Sequence, residues 1–112
     1  MNPSRLRLCR TILFLPASNA RAIEKARGLE ADMVILDLED AVKEEDKAEA
    51  REMAIAATAQ GFGERLSAIR MNAAGTGHYS ADVEAVRRSA ADFVIRVEMT
   101  TPDQLIGSDF LL

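Results

Sequence analysis

MVILDLEDAV, residues 33–42, runs from an unbroken apolar segment into three acids within four positions. Met33-Val34-Ile35-Leu36 shows no alternation of apolar and polar residues, so the strand it forms is expected to be buried on both faces, as in a parallel sheet covered by helices. Asp37, Glu39 and Asp40 then stand at the carboxyl end of that strand. In parallel α/β architectures this is the end at which loops present polar groups over a rigid base.

The same pattern repeats on either side. Upstream, Thr11-Ile12-Leu13-Phe14-Leu15 is a second continuous apolar run, closed by the turn residues Pro16-Ala17-Ser18-Asn19. From Ala20 to Leu29 the period changes to that of a helix, with Ala22, Ile23 and Ala26 on one face. Ser18 or Asn19 is placed to cap its start, and Gly28 to end it. Downstream, Lys43 to Ala59 reads as a long helix with a charged first half and Ala50, Met53, Ala54 and Ala57 on its apolar side, broken by Gln60-Gly61-Phe62-Gly63. Leu66 to Met71 is a third strand, 72–77 a glycine-containing loop, Ala81 to Ser89 a third helix and Phe93-Val94-Ile95 a fourth strand. Strands alternating with helices give an α/β class of parallel βα repeats. No linker or low-complexity tract divides the chain.

This order predicts a common rim. Residues 16–19 after the first strand, Asp37, Glu39 and Asp40 after the second, and Arg70-Met71-Asn72 after the third share one edge, so the acids and Arg70 are expected to face one another. Simpler readings stand beside this one. Asp40 lies close enough to a helix start to serve as its cap, and Arg70 could be a surface or ion-pair residue. His78 and Tyr79 read as solvated loop residues. Lys43-Glu44-Glu45-Asp46-Lys47 reads as a solvated helix face, and Gly75-Thr76-Gly77 is too short for a phosphate loop.

Composition excludes several classes. The 112 residues, 48% hydrophobic and 29% charged, suffice for one domain with a core. A net charge of −4 with scattered Lys and Arg argues against a nucleic-acid partner. The single cysteine, Cys9, forms no internal disulfide, and no Cys/His spacing marks a zinc site. No apolar run reaches the roughly 20 residues of a membrane span, and no signal segment is visible, so the chain is expected to be cytoplasmic.

Three segments together, TILFLPASNARAIEKA (11–26), ADMVILDLEDAVKEEDKAEAR (31–51) and AIRMNAAGT (68–76), resemble the HpcH/HpaI aldolase and citrate lyase β subunit family over about residues 10–95. Ala17 stands where that family usually has Gly, and Met71 where it usually has Val. The resemblance implies a (β/α)₈ barrel. A full barrel takes about 250 residues, so the chain is expected to be its N-terminal part, truncated after about the fourth strand, with 96–112 as a divergent tail.

The implied activity is cleavage or formation of a carbon–carbon bond next to a carbonyl, on citryl or malyl thioesters or related 2-oxo acids, with Mg²⁺ and through an enolate. Arg70 falls on the arginine that binds the substrate carboxylate and polarises the reacting oxygen. Phe14 and Lys25 fall on residues that contact coenzyme A in thioester-cleaving members. Asn19 replaces a third such contact, an arginine, with Arg21 close by. Asp37, Glu39 and Asp40 match an acidic loop that surrounds the metal and its waters more than it ligates them. The family's metal-binding Glu and Asp come from the fifth and sixth strands, past the end of this chain, which leaves Glu98 as a stand-in. A pyruvate-type aldolase is the second choice within the enzyme class. The alternative from another class is a non-catalytic half-barrel that at most binds a carboxylate or acyl-CoA. Association into a homo-oligomer is expected in either case, because a half-barrel leaves sheet edges and an apolar face open.

Overall fold

A computed structural model of the chain describes residues 9–96. Its elements follow in the order β1 (Ile12–Pro16), α1 (Ala20–Arg27), β2 (Met33–Asp37), a 3₁₀ turn (Glu44–Asp46), α2 (Lys47–Gln60), β3 (Leu66–Arg70), α3 (Tyr79–Arg88) and β4 (Phe93–Ile95). The four strands form one parallel sheet in the order β1-β2-β3-β4. Sequential order separates this fold from doubly wound sheets, whose strand order reverses at a switch point. With right-handed crossovers, every helix then falls on the same side, as in the wall of a (β/α) barrel.

Packing follows from the two-residue period of the strands. Leu15, Val34, Leu36 and Ile69 point to the helices and join Ile23 and Ala26 of α1 and Ala50, Ala54 and Ala57 of α2 in the main core. The apolar residues on the buried side of α2 are small alanines. Met33, Ile35, Leu66, Ala68 and Ile95 form a second cluster on the opposite face, with Cys9 and Phe93 packed against it. All of Met33–Leu36 is at most 5% exposed, as the unbroken apolar run requires.

Local signals set the element ends. Asn19 caps α1, its side-chain oxygen accepting the Ala22 N–H at 3.0 Å. Gly61 ends α2 at a φ of 81°, a left-handed conformation that favours glycine, while its N–H bonds to the Ala57 carbonyl. At the opposite end of the sheet from Asp37, two Ala-Asp pairs tie neighbouring strands together. Asp32 accepts from the backbone of Arg10 and Thr11, and Asp92 from that of Ser67.

The charged segment before α2 differs from the sequence expectation. Residues 44–46 form a 3₁₀ turn and the α-helix starts at Lys47. Asp40 therefore caps no helix. α3 starts at Tyr79, two residues before the predicted boundary. Among the described residues no helix is long and apolar enough to cross a membrane. Glu98 and the tail beyond residue 96 lie outside the described residues.

Candidate functional site

The carboxyl ends of β2 and β3 bring Asp37 and Arg70 together as register partners. Side chains of register partners in a parallel pair point to the same face, here the one away from the helices. The Arg70 Nε donates to Asp37 Oδ1 at 2.8 Å and Nη2 to Oδ2 at 2.9 Å, a two-pronged ion pair. The same two oxygens also accept the backbone N–H groups of Glu39 (2.9 Å) and Ala41 (3.0 Å). Asp37 is thus fully buried and saturated by four donors. Its role is to hold Arg70 and shape the turn after β2.

The other acids stand farther from the guanidinium. Glu39 lies 3.5 Å from Nη2 and the exposed Asp40 3.8 Å from it. The guanidinium carbon sits 4.7 Å from the centre of the Phe14 ring, a cation–π stack from two strands away. Among the described residues Nη1 of Arg70 donates no hydrogen bond, since Asp37 engages Nε and Nη2. The predicted rim of acids around Arg70 is present.

These contacts set the charges. Burial alone would push the Asp37 carboxyl up, but the Arg70 fork and the two amides outweigh it and hold it below the ordinary aspartate value. Glu39 goes the other way: burial lifts it, Arg70 opposes, and the neighbouring Asp40 and Asp37 charges add to the rise. The Asp37 bond in turn raises Arg70 further.

A sign follows for stability against pH. Because Asp37 binds its proton more weakly in the folded chain than in the unfolded one, its contribution is complete above the ordinary aspartate range. It disappears as pH falls through the lowered folded value. Asp37→Asn is expected to flatten the acid side of the stability profile below about pH 5, measured by urea unfolding at stepped pH. An unchanged acid limb would contradict the assignment.

Beneath the rim lies a polar network that the sequence reading missed. Lys47, read as part of a solvated run, is only 7% exposed, and its Nζ donates to the carbonyls of Leu38 and Glu39 and to Asn72 Oδ1, each at 2.9 Å. Asn72 passes the chain on, its Nδ2 donating to Leu38 O (3.0 Å) and to Asp82 Oδ2 (2.6 Å). The fully buried Asp82 also accepts the Asn72 N–H at 2.7 Å and Arg51 Nε at 2.7 Å. Arg51 reaches His78 Nδ1 at 3.0 Å, and His78 Nε2 meets Glu44. Arginine has only donors, so Nδ1 must accept and Nε2 must carry the proton that Glu44 receives. His78 is therefore engaged on both nitrogens, not a freely solvated residue.

The remaining candidates separate. Phe14, 45% exposed, is brought to Arg70. Lys25 is exposed on α1 and takes no part in the network around Arg70. Asn19, at the position of the expected loop arginine, is used as the α1 cap.

The sequence profile of the HpcH/HpaI aldolase/citrate lyase family matches residues 10–106. The chain belongs to this family. A (3S)-malyl-CoA thioesterase of Cereibacter sphaeroides (strain KD131) is 42% identical over 88 residues, 77% of this chain and 30% of the relative. The citrate lyase β subunit of M. tuberculosis, solved with oxaloacetate and magnesium, superposes with a TM-score of 0.66 at 36% identity, covering 80% of this chain and 39% of that one. Protein CitE of Mycobacterium tuberculosis, solved with magnesium, acetoacetate and coenzyme A, superposes with a TM-score of 0.62 at 34% identity, covering 79% and 32%. The chain thus spans about a third of the length of the curated relatives it matches, and its four strands correspond to the N-terminal part of the family's barrel.

Magnesium in those structures raises the question of whether the residues here fit it. Among the described residues, no group of three His, Cys, Asp or Glu side chains is arranged to hold a metal ion. Asp37 has no free lone pair direction, and Glu39 and Asp40 lean on Arg70. Mg²⁺ needs near-octahedral oxygen ligation, and this donor set does not supply it.

Proposed function

We propose that this chain supplies the carboxylate-holding arginine of an enzyme that acts on a citryl- or malyl-type coenzyme A thioester, or a related 2-oxo acid, by breaking a carbon–carbon bond next to a carbonyl. One observation carries the reading: Arg70 is locked by Asp37 through Nε and Nη2, and among the described residues its Nη1 donates no hydrogen bond. A guanidinium fixed in this way is preorganised, because it need not turn when a ligand oxygen arrives. Its open end offers planar N–H donors that suit a carboxylate, and it stays charged at any working pH. When the bond beside the carbonyl breaks, its electron pair passes to the carbonyl oxygen as an enolate, while the carbon on the other side becomes a carbonyl as its hydroxyl gives up its proton to a base. Positive charge already in place at that oxygen lowers the barrier.

Phe14 would then offer an apolar surface beside the guanidinium, and Lys25 a cation for the coenzyme's phosphates. The described residues do not form a magnesium site, so no step assigned to Arg70 passes through the ion. The outer edges of β1 and β4 are unpaired among the described residues, a feature that supports association with a second copy of the chain.

Calorimetric titration with oxaloacetate and with acetyl-CoA, each with and without Mg²⁺, tests the proposal. Saturable oxaloacetate binding is expected without added Mg²⁺, because the described residues that hold Arg70 form no site for the ion. Failure of both compounds to bind, with or without Mg²⁺, would overturn the reading.

A further inference from the structure

The network under the rim contains a cation that no ligand can reach. Lys47 Nζ has three hydrogens and three acceptors, the carbonyls of Leu38 and Glu39 and the Asn72 side chain, all at 2.9 Å. Those two carbonyls belong to the turn that follows Asp37. The amides of the same two residues are held from the other side: the Leu38 N–H donates to the Arg70 carbonyl at 2.9 Å and the Glu39 N–H to Asp37 Oδ1 at 2.9 Å. The turn is therefore pinned between Lys47 on one side and the Asp37–Arg70 pair on the other.

Satisfying buried carbonyls does not by itself account for this lysine. The Leu38 carbonyl already accepts from Asn72 Nδ2, and burying a cation carries a desolvation cost that a neutral donor avoids. What Lys47 adds is a fixed geometry among three elements: the first turn of α2, the end of β2 and, through Asn72, the segment two residues past Arg70. Glu39, whose carbonyl Lys47 holds, carries the side chain that stands 3.5 Å from the Arg70 Nη2.

We infer that Lys47 is a positioning residue for Arg70, setting the turn against which the Asp37–Arg70 fork and the Glu39 carboxylate are aligned. The inference rests on the reading of Arg70 as the carboxylate-holding group. Lys47→Met, which keeps the length of the side chain and donates nothing, is the direct test. In the folded variant the Arg70 Nε–H resonance is expected to shift and to exchange faster with water, and oxaloacetate affinity to fall on the order of tenfold or more. A lysine that only stabilises the fold would lower the melting temperature and leave both readouts unmoved in the folded protein, which would overturn the inference.

Should the unmodified chain bind no oxaloacetate, the carboxylate reading falls, and the Arg70 Nε–H signal alone decides the role of Lys47. Should Lys47→Met fail to fold, the reciprocal measurement takes its place. The Lys47 ammonium resonance is expected to move in Arg70→Lys, and an unmoved signal would overturn the link.

Discussion

Arg70→Lys is expected to weaken oxaloacetate binding by at least about tenfold while leaving the parallel sheet intact. Charged hydrogen bonds contribute about 1.5–3 kcal/mol each, so losing one ligand bond of this kind corresponds to roughly a ten- to hundredfold change. Lysine keeps the charge but loses the planar fork. It cannot hold both Asp37 oxygens at the spacing of Nε and Nη2 and still present a second edge to a ligand. The fold should survive, because Arg70 sits at the end of β3 and the strand's packing rests on Leu66, Ala68 and Ile69. Calorimetry for affinity and circular dichroism for fold are the readouts. Equal affinity in the variant would remove Arg70 from the site.

The second large effect is on stability. Asp82→Ala is expected to cost about 3–5 kcal/mol, the range found when one partner of a buried charge pair is removed. Asp82 is fully buried and accepts from Arg51 Nε, from the Asn72 side chain and from the Asn72 backbone. Without it the Arg51 Nε–H, the Asn72 backbone N–H and one Asn72 Nδ2 hydrogen lose their acceptor. For a domain whose whole stability is about 5–15 kcal/mol, that loss is a large fraction. Urea unfolding compares it with the exposed Asp40→Ala, expected to stay within about 0.5 kcal/mol. Equal midpoints for the two variants would contradict the network.

The fold was legible because the unbroken apolar runs at 12–15, 33–36 and 93–95, with the mostly apolar 66–69 between them, signal parallel strands, and the helical period between them is clear. The rim was legible for the same reason: once strand ends are known, Asp37 and Arg70 must meet. The support beneath was not. Lys47 sits in a run of charges whose composition suggests solvent, although its spacing says otherwise. Positions 47, 50, 54 and 57 form one helical stripe, and the other three members are buried alanines. Asp82 shares a stripe with Ala85 in the same way. A charge on the apolar stripe of a helix marks a buried partner, and that partner, Asn72, lies far away in sequence. Partner identity depends on tertiary placement, which periodicity does not carry. The role of Lys25 is set by what approaches its exposed face, and neither spacing nor fold fixes that.

The central claim is that a ligand carboxylate meets the open end of an arginine whose other edge is held by Asp37. Titration of the isotope-labelled chain with oxaloacetate, followed through the guanidinium resonances of Arg70, tests it most directly. The Nη1 signal is expected to shift with saturation while the Nε signal, bonded to Asp37, stays close to its starting position. A saturable change elsewhere in the chain with Arg70 silent would contradict the account.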